Sequence, residues 1–246
     1  MNIAKPPLMN ITKPPIKPFL VVLAYWEGDH ADCYDVANLM VELQEKHAGK
    51  AVKIWLLRRQ DCPRDDGMLK VLRSKFDVDD VRASSPLRGY PGGANGMFGT
   101  TAIHISNNNQ QYDGWLWMEA DCVPMRPSWW KDLQDEWLVR PNGIHVVGWK
   151  GDCNGDGTGW HITGCAIYDQ QIARMIPCVS MCDSVPWDYQ CRGKILEVGK
   201  ETPLIHLCWR ARDAKPDILK KKWALCHGYK DGSLRKLVRE KVVSKK

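Results

Sequence analysis

The segment W-L-W-M-E-A-D-C-V-P, residues 115–124, limits what this chain can become more than any other. Four large apolar residues demand a buried element, two carboxylates follow at once, and a proline closes the segment. That is the pattern of a short core strand, Trp115 to Met118, ending at a polar site. The two-residue period of a strand turns Glu119 and Asp121 to the same side. In α/β sheets, ligands collect at the carboxyl ends of strands. Two carboxylates converging there offer oxygen ligands to Mg²⁺ or Mn²⁺, ions that keep room for phosphate oxygens. An acidic turn after a core strand has the same sequence, and spacing alone does not separate the two readings.

The rest of the chain alternates between strand and helix periods. Phe19 to Trp26 is a continuous apolar run of strand length, far short of the roughly 20 residues of a membrane helix. Asp32 to His47 places Val36, Leu39, Met40 and Leu43 on one helical face. Val52 to Leu57 reads as a strand and Met68 to Phe76 as a short helix. Trp129 to Trp137 is a helix after Pro127. Ile144 to Trp149 and His161 to Tyr168 are strands around a glycine-rich loop. Asp169 to Ile176 is a helix, Leu204 to Leu207 a late strand, and Leu234 to Val243 a final helix. Early alternation followed by less regular strands predicts α/β with a central mixed sheet flanked by helices. A length of 246 residues favours one large domain. Its expected limits are 19–237. A Pro/Lys-rich arm precedes it at 1–18, with N-I-A-K-P-P repeated as N-I-T-K-P-P, and a basic tail follows at 238–246.

The charge is uneven. Residues 209–246 hold 13 Lys and Arg against 4 Asp and Glu, net +9, while residues 1–208 are net −3. Solvated surface accounts for such a segment. So does an electrostatic footprint for a polyanion, nucleic acid first. Lys220, Lys221 and Lys222 are consecutive, so at least one faces solvent or a polyanion. Ten cysteines without a secretory pattern read as reduced thiols of a cytoplasmic protein. The zinc alternative groups Cys178, Cys182 and Cys191 with His206 or Cys208, at spacings that match no standard zinc pattern. Twelve Trp against three Phe suit core, sugar-stacking and base-stacking roles alike.

A second constellation is C-H-G-Y-K-D-G-S-L, 226–234. His227 can ligate a metal, and Lys230 can reach a diphosphate as a point charge. An exposed turn before a basic helix reads the same way. D-C-N-G-D-G-T-G, 152–159, begins like a calcium loop, but its twelfth position is Thr163, where a bidentate Glu is required. It is read as a hairpin-like loop over an acceptor cleft. Asn95, among Gly92, Gly93 and Gly96, lacks the G-K-[ST] of a phosphate-binding loop, so a close backbone approach to a ligand is expected there.

These residues resemble a family. E-A-D after a hydrophobic strand is similar to the D-x-D-type metal motif of GT-A glycosyltransferases, with Glu119 standing where an Asp is usual. H-G-Y-K resembles their late metal-binding His, followed by a Lys on the diphosphate. V-V-L-A-Y-W-E-G-D sits where that Rossmann-type fold binds its nucleotide. The resemblance covers roughly 19–237. It implies a UDP-sugar donor, UDP-glucose first, contacted by Ala24, Tyr25, Trp26, Glu119 and Lys230. It also implies Mn²⁺ or Mg²⁺ on Asp121 and His227. Within that class, Y-P-G-G-A-N-G-M-F (90–98), H-I-T-G (161–164) and H-G-Y-K-D-G-S-L are similar to phage-type enzymes that glycosylate hydroxymethylated pyrimidines in DNA. This narrower likeness implies a DNA partner, host cytoplasm as location, and acceptor contacts by Asn95, His161, Thr163 and Trp187.

An inverting transfer needs a carboxylate beside the acceptor hydroxyl. Asp188, in V-P-W-D-Y-Q at a helix start, is the expected base and Asp183 the alternate. A helix N-cap is the competing role for Asp188, and core packing the competing role for Trp187. Two other functions stay open: a GT-A enzyme acting on a glycan, lipid or protein, and a non-enzymatic zinc or nucleic-acid-binding protein.

Overall fold

A computed structural model describes residues 17–108, 112–152, 154–177, 184–208 and 211–245. The apolar runs form the centre of a seven-stranded sheet. Its strands are β1 (Phe19–Tyr25), β2 (Val52–Arg59), β3 (Asp77–Ala83), β4 (Trp115–Met118), β6 (Val146–Asp152), β7 (Trp160–Tyr168) and β8 (Gly199–Glu201). They lie in the order β3-β2-β1-β4-β7-β6-β8. The first four are parallel, and β7 runs antiparallel to both β4 and β6. A mixed sheet flanked by helices, as the sequence implies, is therefore what forms.

Period-two alternation sorts β1 between two cores. Phe19, Val21, Leu23 and Tyr25 face helices α1 (His30–Leu43), α2 (Asp66–Arg73) and α4 (Trp129–Leu138). Leu20, Val22 and Ala24 face helix α3 (Gly92–Asn107) and the short helices α5 (Ile172–Met175), α6 (Trp187–Gln190) and α7 (Arg192–Glu197). Six tryptophans, Trp55, Trp115, Trp117, Trp129, Trp137 and Trp187, are buried in these layers, so core packing accounts for half of the Trp excess. A small second sheet joins β5 (Cys122–Pro124), β10 (Leu225–His227) and β9 (Ile205–Leu207). Helix α8 (Ser233–Lys241) closes over it and packs on α1 through Leu234, Leu237 and Val238.

Several details differ from the sequence expectations. Helix α3 occupies the stretch read as a glycine-rich approach to ligand. Gly96 serves packing, since a Cβ there would lie 2.0 Å from Ser85 Oγ, while Gly93 and Asn95 line the cavity described below. Strand β3 lies at the sheet edge, where its row of aspartates faces solvent and Lys53. The expected limit between domain and tail, at 237/238, falls inside α8, and Val238 is fully buried. Of the proposed arm, Lys17 donates its backbone N–H to Asp113 and residues 1–16 lie outside those described. Among the described residues, no helix is long and apolar enough to cross a membrane.

Gly96→Ala tests the α3 docking. Overpacking against Ser85 should cost about 1–3 kcal/mol, read as a lower urea midpoint at unchanged slope. Ser85→Gly in the same chain should restore most of the stability.

Candidate active site

The sheet order reverses between β1 and β4, so the loops beyond their carboxyl ends diverge and leave a crevice. A cavity of about 650 Å³ opens there. Antiparallel β7 extends past the end of β4 and supplies one wall with its first half. All twelve site residues expected from the sequence line this cavity: Ala24, Tyr25, Trp26, Asn95, Glu119, Asp121, His161, Thr163, Trp187, Asp188, His227 and Lys230. Asp183, Cys178 and Cys182 lie outside the described residues.

The centre of the cavity is the turn after β4. Strand β10 pairs antiparallel with β5, with His227 opposite Cys122. That register sets His227 Nε2 3.1 Å from Asp121 Oδ1 and 3.6 Å from Glu119 Oε2. Lys230 Nζ stands 3.6 Å from Asp121 Oδ2. Burial by itself raises a carboxylic acid, but the charges of His227 and Lys230 prevail and hold Asp121 down to about 2. Burial likewise opposes charge on His227, and the facing carboxylates overcome it, raising its pKa well above the usual imidazole value. Ligand atoms of Glu119, Asp121 and His227 all lie within 4.8 Å of one another. Among the described residues, Asp121 Oδ2 and His227 Nδ1 are buried without hydrogen-bond partners. This mixed oxygen and imidazole set, with polar atoms left over, fits a divalent ion of the Mn²⁺ or Mg²⁺ type.

On the β1 side, Trp26 leaves the strand and turns out to the rim, 45% exposed. Its ring lies over Gly28, where a Cβ would clash at 2.2 Å, and the Arg59 guanidinium sits 5.4 Å from its centroid. Tyr25 is core, with only its edge toward the cavity.

On the opposite side, Asp188 sits in the first turn of α6 and is not its N-cap; that position is Pro186. The Asp188 carboxylate accepts N–H bonds from Gly164 (2.8 Å) and Tyr189 (3.0 Å), and His161 Nε2 is 3.9 Å away. Burial raises its pKa against the pull of His161 and the two amides. His161 donates from Nδ1 to the Gly159 carbonyl, and Thr163 is buried with its hydroxyl directed to the Cys165 carbonyl. Asn95 uses its side chain as a clamp: its amide donates to Val185 O (2.8 Å) and its oxygen accepts from Trp187 N (3.0 Å). Trp187 stacks on Phe98 at 3.6 Å and is 4% exposed, so one face of the ring is already covered.

Other lining residues are not singled out by the sequence reading. Asp29 is the chief one. Burial, together with Glu119, Asp121 and Asp32 nearby, pushes it up to about 6 against the Trp26 N–H it accepts. Its signal is present: W-E-G-D places a carboxylate just past the carboxyl end of a buried strand. Tyr90, 77% exposed at the rim, is another. The calcium-like loop is the tip of the β6–β7 hairpin. Asp152 there accepts backbone N–H bonds from Asn154, Gly157 and Gly159, which leaves it committed to its own turn.

No protein-family model and no curated protein matches the chain. Solved structures resemble it at low identity. Apo WbbM, a bifunctional glycosyltransferase, superposes with a TM-score of 0.58 at 10% identity, over 88% of this chain and 46% of its own. Apo mouse xyloside xylosyltransferase 1 gives 0.54 at 12%, over 88% and 99%. An active-site mutant of LgtC gives 0.50 at 11%, over 85% and 86%. The chain thus spans less than half the length of WbbM and nearly all of the xylosyltransferase. These likenesses fix the fold as that of GT-A glycosyltransferases.

Metal binding should displace a proton, because His227 is protonated below its raised pKa and must be neutral to ligate. Asp121 is already ionised and adds none. Mn²⁺ affinity should therefore rise about tenfold per pH unit between pH 6 and 7. Calorimetry in two buffers of different ionisation enthalpy should count about one proton released. Asp121→Ala should abolish the binding; Mn²⁺ uptake without proton release would place the ion elsewhere.

Proposed function

We propose that the chain is a metal-dependent glycosyltransferase that moves a sugar, glucose first, from a UDP-sugar to the hydroxymethyl group of a modified pyrimidine in DNA. One observation carries the transferase reading. Asp121, Glu119 and His227 converge at the switch point of a GT-A-type sheet, and a buried carboxylate with a raised pKa, Asp188, lines the same cavity.

The donor half is built on β1 and β4. The exposed ring of Trp26 offers a stacking face to the uracil base. Glu119, Asp121 and His227 would hold Mn²⁺ or Mg²⁺, which when bound neutralises charge on a leaving diphosphate. Lys230 is 74% exposed beyond its ion pair, so its ammonium can turn from Asp121 toward the same phosphates. In the acceptor half, Asp188 takes the proton of the attacking hydroxyl. The amides of Gly164 and Tyr189 aim its carboxylate, and burial makes it a stronger base than a solvated Asp. His161 and Thr163 line the wall beside it.

The DNA acceptor rests on the basic segment, the rim aromatics Trp26 and Tyr90, the exposed Trp160, and the narrower sequence resemblance. A base in a duplex must be extruded to react, and exposed rings suit its stacking. Arg235 and Arg239 drop out of that support. They point inward to Asp32, Asp35 and Glu42 of α1. Lys220, Lys221 and Lys222 lie on a segment that stays at the surface. The same rim aromatics favour a second reading, a glycan acceptor, since sugars also stack on exposed rings.

Four measurements test this. Asp188→Asn should lower kcat by about 10²-fold or more with little change in UDP-sugar affinity. In the native chain, kcat/KM should fall on acidification with a midpoint above the ordinary carboxylate value of about 4; a limb at or below that value would remove Asp188 as base. For the acceptor, modified DNA and free glycans are incubated with a panel of UDP-sugars and the products read by mass spectrometry. Sugar on hydroxymethylpyrimidine supports DNA, and labelled glycan alone overturns it. If DNA is correct, replacing Lys220, Lys221 and Lys222 with Gln should flatten the salt dependence of DNA binding, by about 1 in slope for each phosphate that is no longer neutralised.

A further inference from the structure

Behind the carboxylate site lies a second cluster of different chemistry. Cys122 Sγ and Cys165 Sγ are 3.3 Å apart, and both residues are fully buried. A nitrogen of His227 lies within 4.8 Å of both sulfurs. The three residues come from β5, β7 and β10, so three separate strands fix them. The Glu119 backbone N–H points to Cys122 Sγ at 3.3 Å. His227 is 8% exposed, and its Nδ1 is buried with no hydrogen-bond partner among the described residues. Two thiols packed in a core explain the sulfur contact. They do not explain why a buried imidazole with an unpartnered nitrogen stands within reach of both, an atom that is costly to bury without a ligand.

We propose that Cys122, Cys165 and His227 form a second metal site, selective for a thiophilic divalent ion such as Zn²⁺ or Cd²⁺. Its occupation competes with the oxygen-ligated ion, because two dications flanking one imidazole ring repel each other at close range. Two thiolates and one imidazole make a soft donor set, opposite in preference to the carboxylates in front of it. Tetrahedral zinc holds sulfur ligands about 3.8 Å apart, so the sulfurs need to separate by only about half an ångström. Three protein ligands leave a fourth position for an exogenous ligand. Binding forms two metal–sulfur bonds and one metal–nitrogen bond and releases the displaced protons to solvent, with no change of oxidation state. The site therefore makes thiophilic metals inhibitors of whatever the front site does. The described members of the cysteine set expected from the sequence, Cys191, His206 and Cys208, belong to neither three-ligand grouping among the described residues.

The test uses the full reduced chain and Cd²⁺. Titration should produce sulfur-to-cadmium charge-transfer absorbance, and cadmium NMR should give a shift in the thiolate-ligated range. Cys165→Ser should cut the absorbance at the first equivalent by about half or more. Cys208→Ser, which breaks another close thiol pair among the described residues, Cys208–Cys226 at 3.5 Å, should leave the signal intact. The competition clause rests on the metal reading above and is measured separately. Cd²⁺ should displace Mn²⁺, read by electron paramagnetic resonance, at least tenfold less effectively in Cys165→Ser than in the native chain. Should Cys165→Ser fail to fold, the native NMR shift decides alone, since an oxygen-only value overturns the proposal. Disappearance of the signal in Cys208→Ser but not in Cys165→Ser also overturns it. A cadmium–sulfur signal without any Mn²⁺ binding would overturn the front-site reading and sustain this one.

Discussion

The antiparallel register of β5 against β10 is the contact on which the site depends. Glu119 and Asp121 come from the middle of the chain and His227 from its last tenth. Only the ladder that sets His227 opposite Cys122 brings them together. A slip of one residue would turn the imidazole to the other face. The ladder is short, so it is reinforced from outside: α8 begins six residues after His227 and lies on α1. Arg235 of α8, buried at 3% exposure, pairs with Asp32 and Asp35 of α1, and one of its nitrogens lies 3.5 Å from the Ala120 carbonyl. The guanidinium thus ties first helix, last helix and metal turn in one place. Arg239 extends the tie to Glu42.

This arrangement answers a problem of charge. Asp29, Asp32, Glu119 and Asp121 all line one cavity, and four carboxylates at close range repel one another. Asp32 is neutralised by Arg235, and Asp121 by His227 and Lys230. Asp29 forms no ion pair among the described residues, and burial together with the neighbouring carboxylates pushes its pKa up to about 6. An incoming cation would be welcomed by what remains. The same excess explains why the basic segment near the end of the chain is not simply a surface for polyanions. Part of its charge is drawn inward to balance the acidic helix α1.

The donor half is legible in the sequence because its signals are local. A buried strand ending in E-A-D, another ending in Y-W-E-G-D, and a His three residues before a Lys are each readable within ten residues. What joins them is not local. Nothing in L-C-H announces a strand, because three residues carry no period. D-V-D-D-V-R-A hides an edge strand, since its outer face is solvated and its alternation is charged on both sides. G-G-A-N-G masks helix α3. Glycines weaken a helix on propensity grounds, and only the tight approach to Ser85 reveals why they are there. Asn95 and Trp187 do line the cavity, but their polar and aromatic groups are engaged with Val185 and Phe98. A clamp between positions 95 and 185 cannot be seen from either residue alone.

The two halves of the cavity therefore differ in what fold-level likeness can say about them. The carboxylate half stands at the ends of the parallel strands β1 and β4, the part of the cavity built directly on the sheet. The acceptor half stands on the overhanging end of β7, the four-residue helix α6, and the Asn95 clamp that docks one to the other. These are short elements joined by few side-chain bonds, with Tyr90 and Trp160 exposed around them. Small sequence changes there would reshape the wall without touching the sheet. Under the proposed function, acceptor choice would be set by these loops and not by the fold. The carboxylate of Asp188 is the fixed point in that half. Two backbone amides hold it in position.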